Sequence, residues 1–376
     1  MAHYNTLLSH RSLRIVHTEA SCGWGGQEIR ILEESRGLIE RGHEVTLLCP
    51  AESTIFVRAH DWGIKAVALP LKEKRWENFK AVRAWILANR PDVDIINTHS
   101  STDSWLVALA NLSLRHKAIP VVRTRHISAP VKNSFANRWL YGKAAAHIVT
   151  TGEGLRHELI DGLGLRPEQV QSIFTGINTK RFEPGDKVEA RNQLGLDVNA
   201  TWIGIIATLR SWKGHKYLLK AISELNDPRI RLVIVGDGPQ RDKLNRLTVE
   251  LGLTRVVRFA GQQRDVVPWL QALDIFALPS FANEGVSQAV MQAMAVGLPV
   301  ITTPIGSSAD VVKPALTGVL VPPKDSKALA QAIRRLLDNP AEANKLGTAA
   351  RAFALENCGI ERMLTRMEAV FQRCAG

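Results

Sequence analysis

Short β-branched runs alternate with longer stretches of helical apolar spacing along most of the chain. That is the pattern of a parallel sheet covered by helices. Residues 14–17 read as a first strand, 27–41 as a helix closed by Gly42, and 44–49 as a second strand. Residues 65–69, 95–98, 121–124 and 147–150 continue the series, with helical segments between them. A second series begins at 202–207 and runs through 231–235, 256–260, 275–278, 300–302 and 319–321. Between the two, residues 176–199 are largely polar and contain Pro184 and Gly185, so they read as a crossing between domains. From Ile360 onward the chain reads as a terminal helix. The expectation is an α/β molecule with two doubly wound, Rossmann-like domains, 1–182 and 200–356. The linker is 183–199, and residues 357–376 form a helix that returns to the first domain. Ligands of such sheets sit outside the carboxyl ends of the strands and in the cleft between domains.

Composition narrows the class. A chain of 376 residues fits two domains at about 150 residues each. With 45% hydrophobic and 22% charged residues it has the balance of a packed protein, which excludes disorder. No run approaches 18 apolar residues, so no membrane-spanning helix is expected. The first twelve residues have no apolar core of signal-peptide length, and the expected location is cytoplasmic. Cys22, Cys49, Cys358 and Cys374 lie far apart without a CxxC pair, which disfavours zinc and a disulfide framework.

The net charge is +12, and it is unevenly placed. Between Asp103 and Glu153 there is no acidic residue, while Arg115, Lys117, Arg123, Arg125, Lys132, Arg138 and Lys143 all occur. Residues 72–90 add further cations with Trp76, Phe79 and Trp85 among them. A nucleic-acid channel, an anionic membrane surface and an ordinary solvated face all fit such a stretch. Charge alone does not decide between them.

The loops after the strands say more. Gly23-Trp24-Gly25-Gly26 opens a helix after the first strand, where glycines admit a ligand to the backbone and the helix N-terminus favours anions. It is not the dinucleotide fingerprint, because Glu28 holds the third glycine position. A tight turn without a ligand is an equal reading. After residues 202–207, Thr208-Leu209-Arg210-Ser211-Trp212-Lys213-Gly214 runs into a helix, and two cations there suit a diphosphate. Asp237 in Gly236-Asp237-Gly238-Pro239 reads as a turn residue. The sharpest segment is Pro279-Ser280-Phe281-Ala282-Asn283-Glu284-Gly285-Val286-Ser287-Gln288, leading to Gly297 and Pro299. Ser287 suits an N-cap and Gly297 a C-cap, which turns the amides of Gly285, Val286 and Ser287 toward the cleft as a phosphate site. Glu284 beside an anion site is costly unless it receives hydroxyl hydrogen bonds or meets developing positive charge. A sugar supplies both.

At these residues the chain resembles a retaining glycosyltransferase of GT-B architecture, in family 4 (glycosyl transferases group 1). The likeness runs through Gly25-Gly26, His126, Gly176-Ile177-Asn178-Thr179 with Phe182, Lys213-Gly214, Gly236-Asp237-Gly238-Pro239, Gly261 to Asp265 and the block from Glu284 to Gln292. It implies that the second domain binds a nucleotide diphosphate sugar and the first an acceptor. It also implies that Glu284 contacts the donor sugar, that Lys213 holds the leaving phosphates, and that His126 reaches the sugar from the first domain. Two positions depart from the family's pattern. Gln292 replaces the second acid of Glu-x7-Glu, whose partner is the nucleotide ribose; an amide still accepts through its carbonyl. The family's arginine five residues before the lysine is Thr208 here, with Arg210 as the nearby substitute.

The resemblance assigns Glu284, His126 and Lys213 to catalysis. It assigns Arg210, Lys213, Gly285, Val286, Ser287, Gln292, Gly25 and Gly26 to the donor, while His99, at the end of residues 95–98, and Arg125 are the candidates for the acceptor from their place at the cleft. No metal or other cofactor is expected, since helix N-terminus and cations stand where Mg²⁺ would. Expected partners are a nucleotide-sugar donor, a glycan or lipid-linked acceptor and the anionic inner membrane surface, with no nucleic acid. The basic stretches point to lipopolysaccharide or another cell-surface polysaccharide, by hexosyl or heptosyl transfer. A nucleotide-sugar epimerase of the same architecture and a non-catalytic nucleotide-sugar-binding protein are the alternatives. An isomerised donor would mark the first, and binding without turnover the second.

Overall fold

The computed structural model describes residues 11–115, 118–282 and 284–376, so Lys117, Asn283 and the start of the chain lie outside it. The first sheet is built from β1 (Arg14–Thr18), β2 (Glu44–Cys49), β3 (Lys65–Ala68), β4 (Ile95–Thr98), β5 (Val121–Arg125), β6 (His147–Thr150) and β7 (Val170–Ser172). Its order is β3-β2-β1-β4-β5-β6-β7, and each neighbouring pair is parallel. The second contains β8 (Thr201–Ile206), β9 (Ile230–Val235), β10 (Val257–Gly261), β11 (Ile275–Leu278), β12 (Val300–Thr302) and β13 (Val319–Leu320). Its order is β10-β9-β8-β11-β12-β13, again parallel throughout. Central strands such as β4 and β11 are buried along their whole length, as strands covered by helices on both faces must be. These are two Rossmann-like sheets in the GT-B arrangement. The strand order of each reverses once, between β1 and β4 and between β8 and β11, and those two points are where a doubly wound sheet opens a crevice.

Two local features differ from the sequence expectation. β7 has only three residues, too few to show an alternation, and follows the 3₁₀ turn Pro167–Gln169. Residues 183–199, expected as a linker, contain the helix Lys187–Leu194. Its start is capped by Asp186, whose Oδ1 accepts the Glu189 N–H at 2.9 Å, and Ala190 and Leu196 join the second core. Only Val188, Ala190 and Leu194 in it are apolar, too sparse to reveal a period. The helix Ile360–Ala375 packs Met363, Leu364, Met367, Val370 and Phe371 against Leu13, Ile15, Leu38 and Val45 of the first domain. That i, i+4, i+7, i+8 spacing is one face of a helix. Among the described residues no helix is long and apolar enough to cross a membrane.

Candidate active site

The second-domain half of the site hangs on two loops that follow β8 and β11. The turn Ser211–Lys213 ends at Gly214, whose φ is +81°; a Cβ there would lie 1.9 Å from the Pro279 carbonyl oxygen. Only glycine fits both the left-handed backbone and that close approach. The contact, together with the Phe281 N–H donating to the Trp212 carbonyl at 2.8 Å, locks the lysine loop to the loop of Glu284. Lys213 Nζ then lies 2.5 Å from Glu284 Oε1, and Ser280 Oγ donates to the same oxygen at 2.7 Å. The Glu284 side chain is 6% exposed and that of Lys213 20%, so this ion pair faces the cleft from a mostly dry wall. Behind Lys213, His215 is held neutral down to about pH 3 by burial and by the lysine charge.

The loop after Glu284 passes against the first domain. A Cβ on Gly285 would lie 2.4 Å from the His126 carbonyl oxygen and 2.5 Å from Thr151 Oγ1, so a glycine is what lets the two domains meet there. Val286 is buried in the second core. Ser287 occupies the N-cap position of the helix Gln288–Val296, but its hydroxyl makes no capping hydrogen bond. Gln288 and the half-buried Gln292 stand one turn apart on this helix. Gln288 Nε2 donates across the cleft to the Gly26 carbonyl at 2.8 Å. Gly25 is the extended N-cap of the helix Gly26–Glu40 that faces it. Arg210 is exposed, with its guanidinium 5.7 Å from the centre of the Trp212 ring. Asp237 accepts the N–H of Gly238 at 2.8 Å, as a turn residue does.

On the first-domain side, His126 follows β5 and His99 follows β4. His99 Nδ1 is 2.9 Å from His126 Nε2, and His99 Nε2 is 2.8 Å from Nδ1 of His17 in β1. Burial pushes all three imidazoles down, His17 to about 3 with help from the Arg30 charge, so they are neutral near pH 7. Arg125 Nη1 donates to Tyr141 Oη at 3.1 Å and Nη2 to the Ala129 carbonyl, which ties down the loop after His126. Glu19, just past β1, accepts from the Ser21 N–H at 2.7 Å and from Ser100 and Gln27. Burial and the charge of Asp103 raise its carboxyl well above the ordinary range.

The structure thus gathers Lys213, Glu284, Gly285, His126 and His99 along one cleft, with Gly26 and Gln288 bridging it. Arg210 stands apart on its loop, and two of Arg125's nitrogens are engaged within the protein. Sequence reasoning missed the roles of Ser280 and Gln288, both inside the segment it singled out. It also missed Glu19, an acid directly between a strand and a glycine loop. His17 carried no signal, because within a strand it reads as a strand residue. The second domain further caps the helix Glu153–Leu163: Ser307 Oγ accepts the Leu155 N–H and Asp310 Oδ2 the Gly154 N–H, each at 3.2 Å.

Comparison with known proteins gives the family of the chain and its fold. Residues 24–181 match the model for Glycosyltransferase Family 4, and residues 186–353 that for Glycosyl transferases group 1. The chain is 31% identical over 287 residues to D-inositol 3-phosphate glycosyltransferase of Corynebacterium aurimucosum, an alignment covering 69% of this chain and 67% of that one. It is 30% identical over 367 residues to the protein of the same name from Corynebacterium diphtheriae, covering 87% and 84%. Among solved structures, HepE of Anabaena in complex with UDP has a TM-score of 0.84 at 20% identity, over 96% of this chain and 100% of HepE, a likeness of fold. The curated relatives' name carries an inositol phosphate, where the basic stretches led to an expectation of lipopolysaccharide or another cell-surface polysaccharide.

Proposed function

We infer the reaction from the premise that the chain belongs to the family 4, group 1 glycosyltransferases of GT-B fold. It is a glycosyltransferase, and the reading that fits its cleft best is retaining transfer from a nucleotide diphosphate sugar to a hydroxyl of a phosphate-bearing acceptor. The observation that carries this reading is the Lys213–Glu284 pair at the second switch point, facing His126 across Gly285. An ammonium has three donors, so Lys213 can keep Glu284 and still bind a phosphate oxygen. The diphosphate then lies along Lys213, Arg210 and the amides of Gly285, Val286 and Ser287. The sugar hydroxyls meet Glu284 and His126, and the ribose meets Gln292.

The acceptor enters from the first domain beside His99 and the Gly25-Gly26 loop. The bond from the anomeric carbon to the diphosphate oxygen breaks. The acceptor oxygen bonds to the same face of that carbon, and its proton passes to the departing diphosphate. Lys213 and the helix N-terminus count most as negative charge grows on the leaving group, so they lower the barrier rather than only strengthening binding. On this reading no metal is needed, and turnover persists in EDTA. The relatives' inositol phosphate and a phosphorylated glycan or lipid share the anionic chemistry that the basic first-domain surface suits. An anionic membrane surface as the place of reaction fits the same charge.

The test is thermal shift of the full chain with UDP-, GDP- and ADP-sugars, any hit being repeated with Lys213→Ala. A selective shift lost in the variant supports the donor site; no shift with any donor overturns it. Turnover with inositol 3-phosphate against phosphorylated glycans then identifies the acceptor. The anomeric coupling of the product in proton NMR must match the donor's, and an inverted product refutes the retaining mechanism.

A further inference from the structure

Three neighbouring strands each deliver one histidine to the same edge of the first sheet. β1 brings His17, the end of β4 brings His99, and the end of β5 brings His126. The rings form an unbroken chain: His126 Nε2 to His99 Nδ1 at 2.9 Å, and His99 Nε2 to His17 Nδ1 at 2.8 Å. Successive rings stack at 5.2 and 5.1 Å between centroids. Exposure falls from 9% at His126 through 5% at His99 to 0% at His17, so the chain runs from the cleft into the core. One proton sits in each nitrogen–nitrogen contact. A neutral chain therefore has only two states, with every N–H pointing inward or every N–H pointing outward.

The inner end breaks that symmetry. His17 Nε2 lies 4.0 Å from Glu34 Oε1 and, among the described residues, has no hydrogen-bond partner. A buried N–H facing that carboxyl is favoured over a lone pair facing it. At the other nitrogen, the Asn97 Nδ2 amide approaches His17 Nδ1 at 3.5 Å while donating toward Glu34 Oε1 at 3.4 Å. Thr124 Oγ1 donates to Asn97 Oδ1 at 2.9 Å, which fixes the amide's orientation. An amide donor beside His17 Nδ1 requires a lone pair there. Glu34 is itself anchored by Arg30, whose Nη1 donates to the Ile173 carbonyl at 3.1 Å. The edge of Phe371 closes the remaining side of His17.

We propose that Glu34, Asn97 and His17 act through His99 as positioning residues that fix His126 in one tautomer, Nε2 protonated and Nδ1 bare. His126 therefore meets the cleft as a hydrogen-bond acceptor for a substrate hydroxyl, not as a donor. Such a remote partner is how a histidine's working nitrogen is commonly chosen. The consequence for specificity is direct: a sugar with a hydroxyl at that point is bound, and its deoxy or O-methyl analogue is discriminated against. This step rests on the reading of His126 as facing the sugar, whereas the tautomer itself does not.

Long-range proton–nitrogen NMR of the full chain labelled at histidine tests it. In the wild type His126 should show a protonated Nε2 and a bare Nδ1, and a protonated Nδ1 overturns the proposal whatever the protein's reaction. His17→Phe removes the inner acceptor and should let His126 populate the Nδ1-protonated form, with kcat/KM falling about tenfold, the scale of one substrate hydrogen bond. His17→Asn, whose carbonyl can replace the Nδ1 lone pair, should restore the tautomer and most of the rate. A chain that is only structural would lower Tm in His17→Phe while leaving the His126 tautomer unchanged. The expected tautomers with no glycosyl transfer to any acceptor would sink the proposed function and leave the positioning intact.

Discussion

Lys213 and Glu284 lie 71 residues apart in sequence, and the proposed mechanism turns on their 2.5 Å contact. Lys213→Ala should lower kcat by about 10²–10³-fold, the usual cost of removing one group that stabilises a leaving anion. Circular dichroism should show an intact fold; a variant with wild-type turnover would remove Lys213 from the mechanism. Behind it, His215 offers a pH experiment. Its folded-state pKa is depressed to about 3, below the roughly 6.5 of an unfolded histidine, so between those values the unfolded chain binds the extra proton. Its contribution to stability is present above about pH 6.5 and is lost as pH falls toward 3. Urea unfolding of His215→Gln should therefore lose stability less steeply than wild type below pH 6.5, by up to about 1.4 kcal/mol per pH unit. Identical slopes would show that His215 titrates normally. The types of these residues were legible, because a lysine before a helix and an acid in a glycine loop are signals in themselves. Ser280's hydrogen bond to Glu284 was not, since a serine in a loop has many uses.

Elements came through where an apolar or β-branched run stood out from its flanks. The strands at 44–49, 95–98, 147–150, 275–278 and 300–302 coincide with β2, β4, β6, β11 and β12, as does the helix His215–Leu225. β7 and the helix Lys187–Leu194 did not, because one apolar residue in Val170–Ser172 and three in a helix of eight carry too little pattern, and both take their stability from packing. The terminal helix shows the energetic side of this. Phe371 is fully buried against the first sheet, and Gly37 lies so close that a Cβ there would meet Leu364 at 2.3 Å. Phe371→Ala should cost about 3–5 kcal/mol in urea unfolding, the range for emptying a buried aromatic site. A loss under 1 kcal/mol would mean that the helix is peripheral to the first domain's stability.

At the scale of the whole molecule, a set of contacts holds the two domains close together. Gly285 against His126 and Thr151, Gln288 on Gly26, Ser307 and Asp310 on the helix Glu153–Leu163, and Arg181 with Asp265 at 2.9 Å all span the interface. Gly285→Ala places a methyl group where the backbone of the other domain already is. It should weaken donor binding by at least about tenfold and enlarge the radius of gyration in X-ray scattering, since a rigid contact moves rather than compresses. Gln288→Ala, which removes one cross-cleft hydrogen bond without a clash, should cost severalfold at most. Equal donor affinity in Gly285→Ala and wild type would show that the closed approach is irrelevant to the donor.

By itself the sequence determined the two doubly wound sheets, the strand-end loops of the candidate site and the residue types there, because hydrophobic period and loop composition are local properties. The tertiary structure alone decided which distant groups meet. It paired Lys213 with Glu284, set Gly285 on the His126 carbonyl, turned Arg125 back onto Tyr141 and Ala129, and lined His17, His99 and His126 into one chain. The polar contacts among these last because a buried polar group must find a partner once packing has removed water, and the Gly285 approach because no side chain stands in its way. That partner is chosen by strand order and domain approach, which no local stretch of sequence encodes.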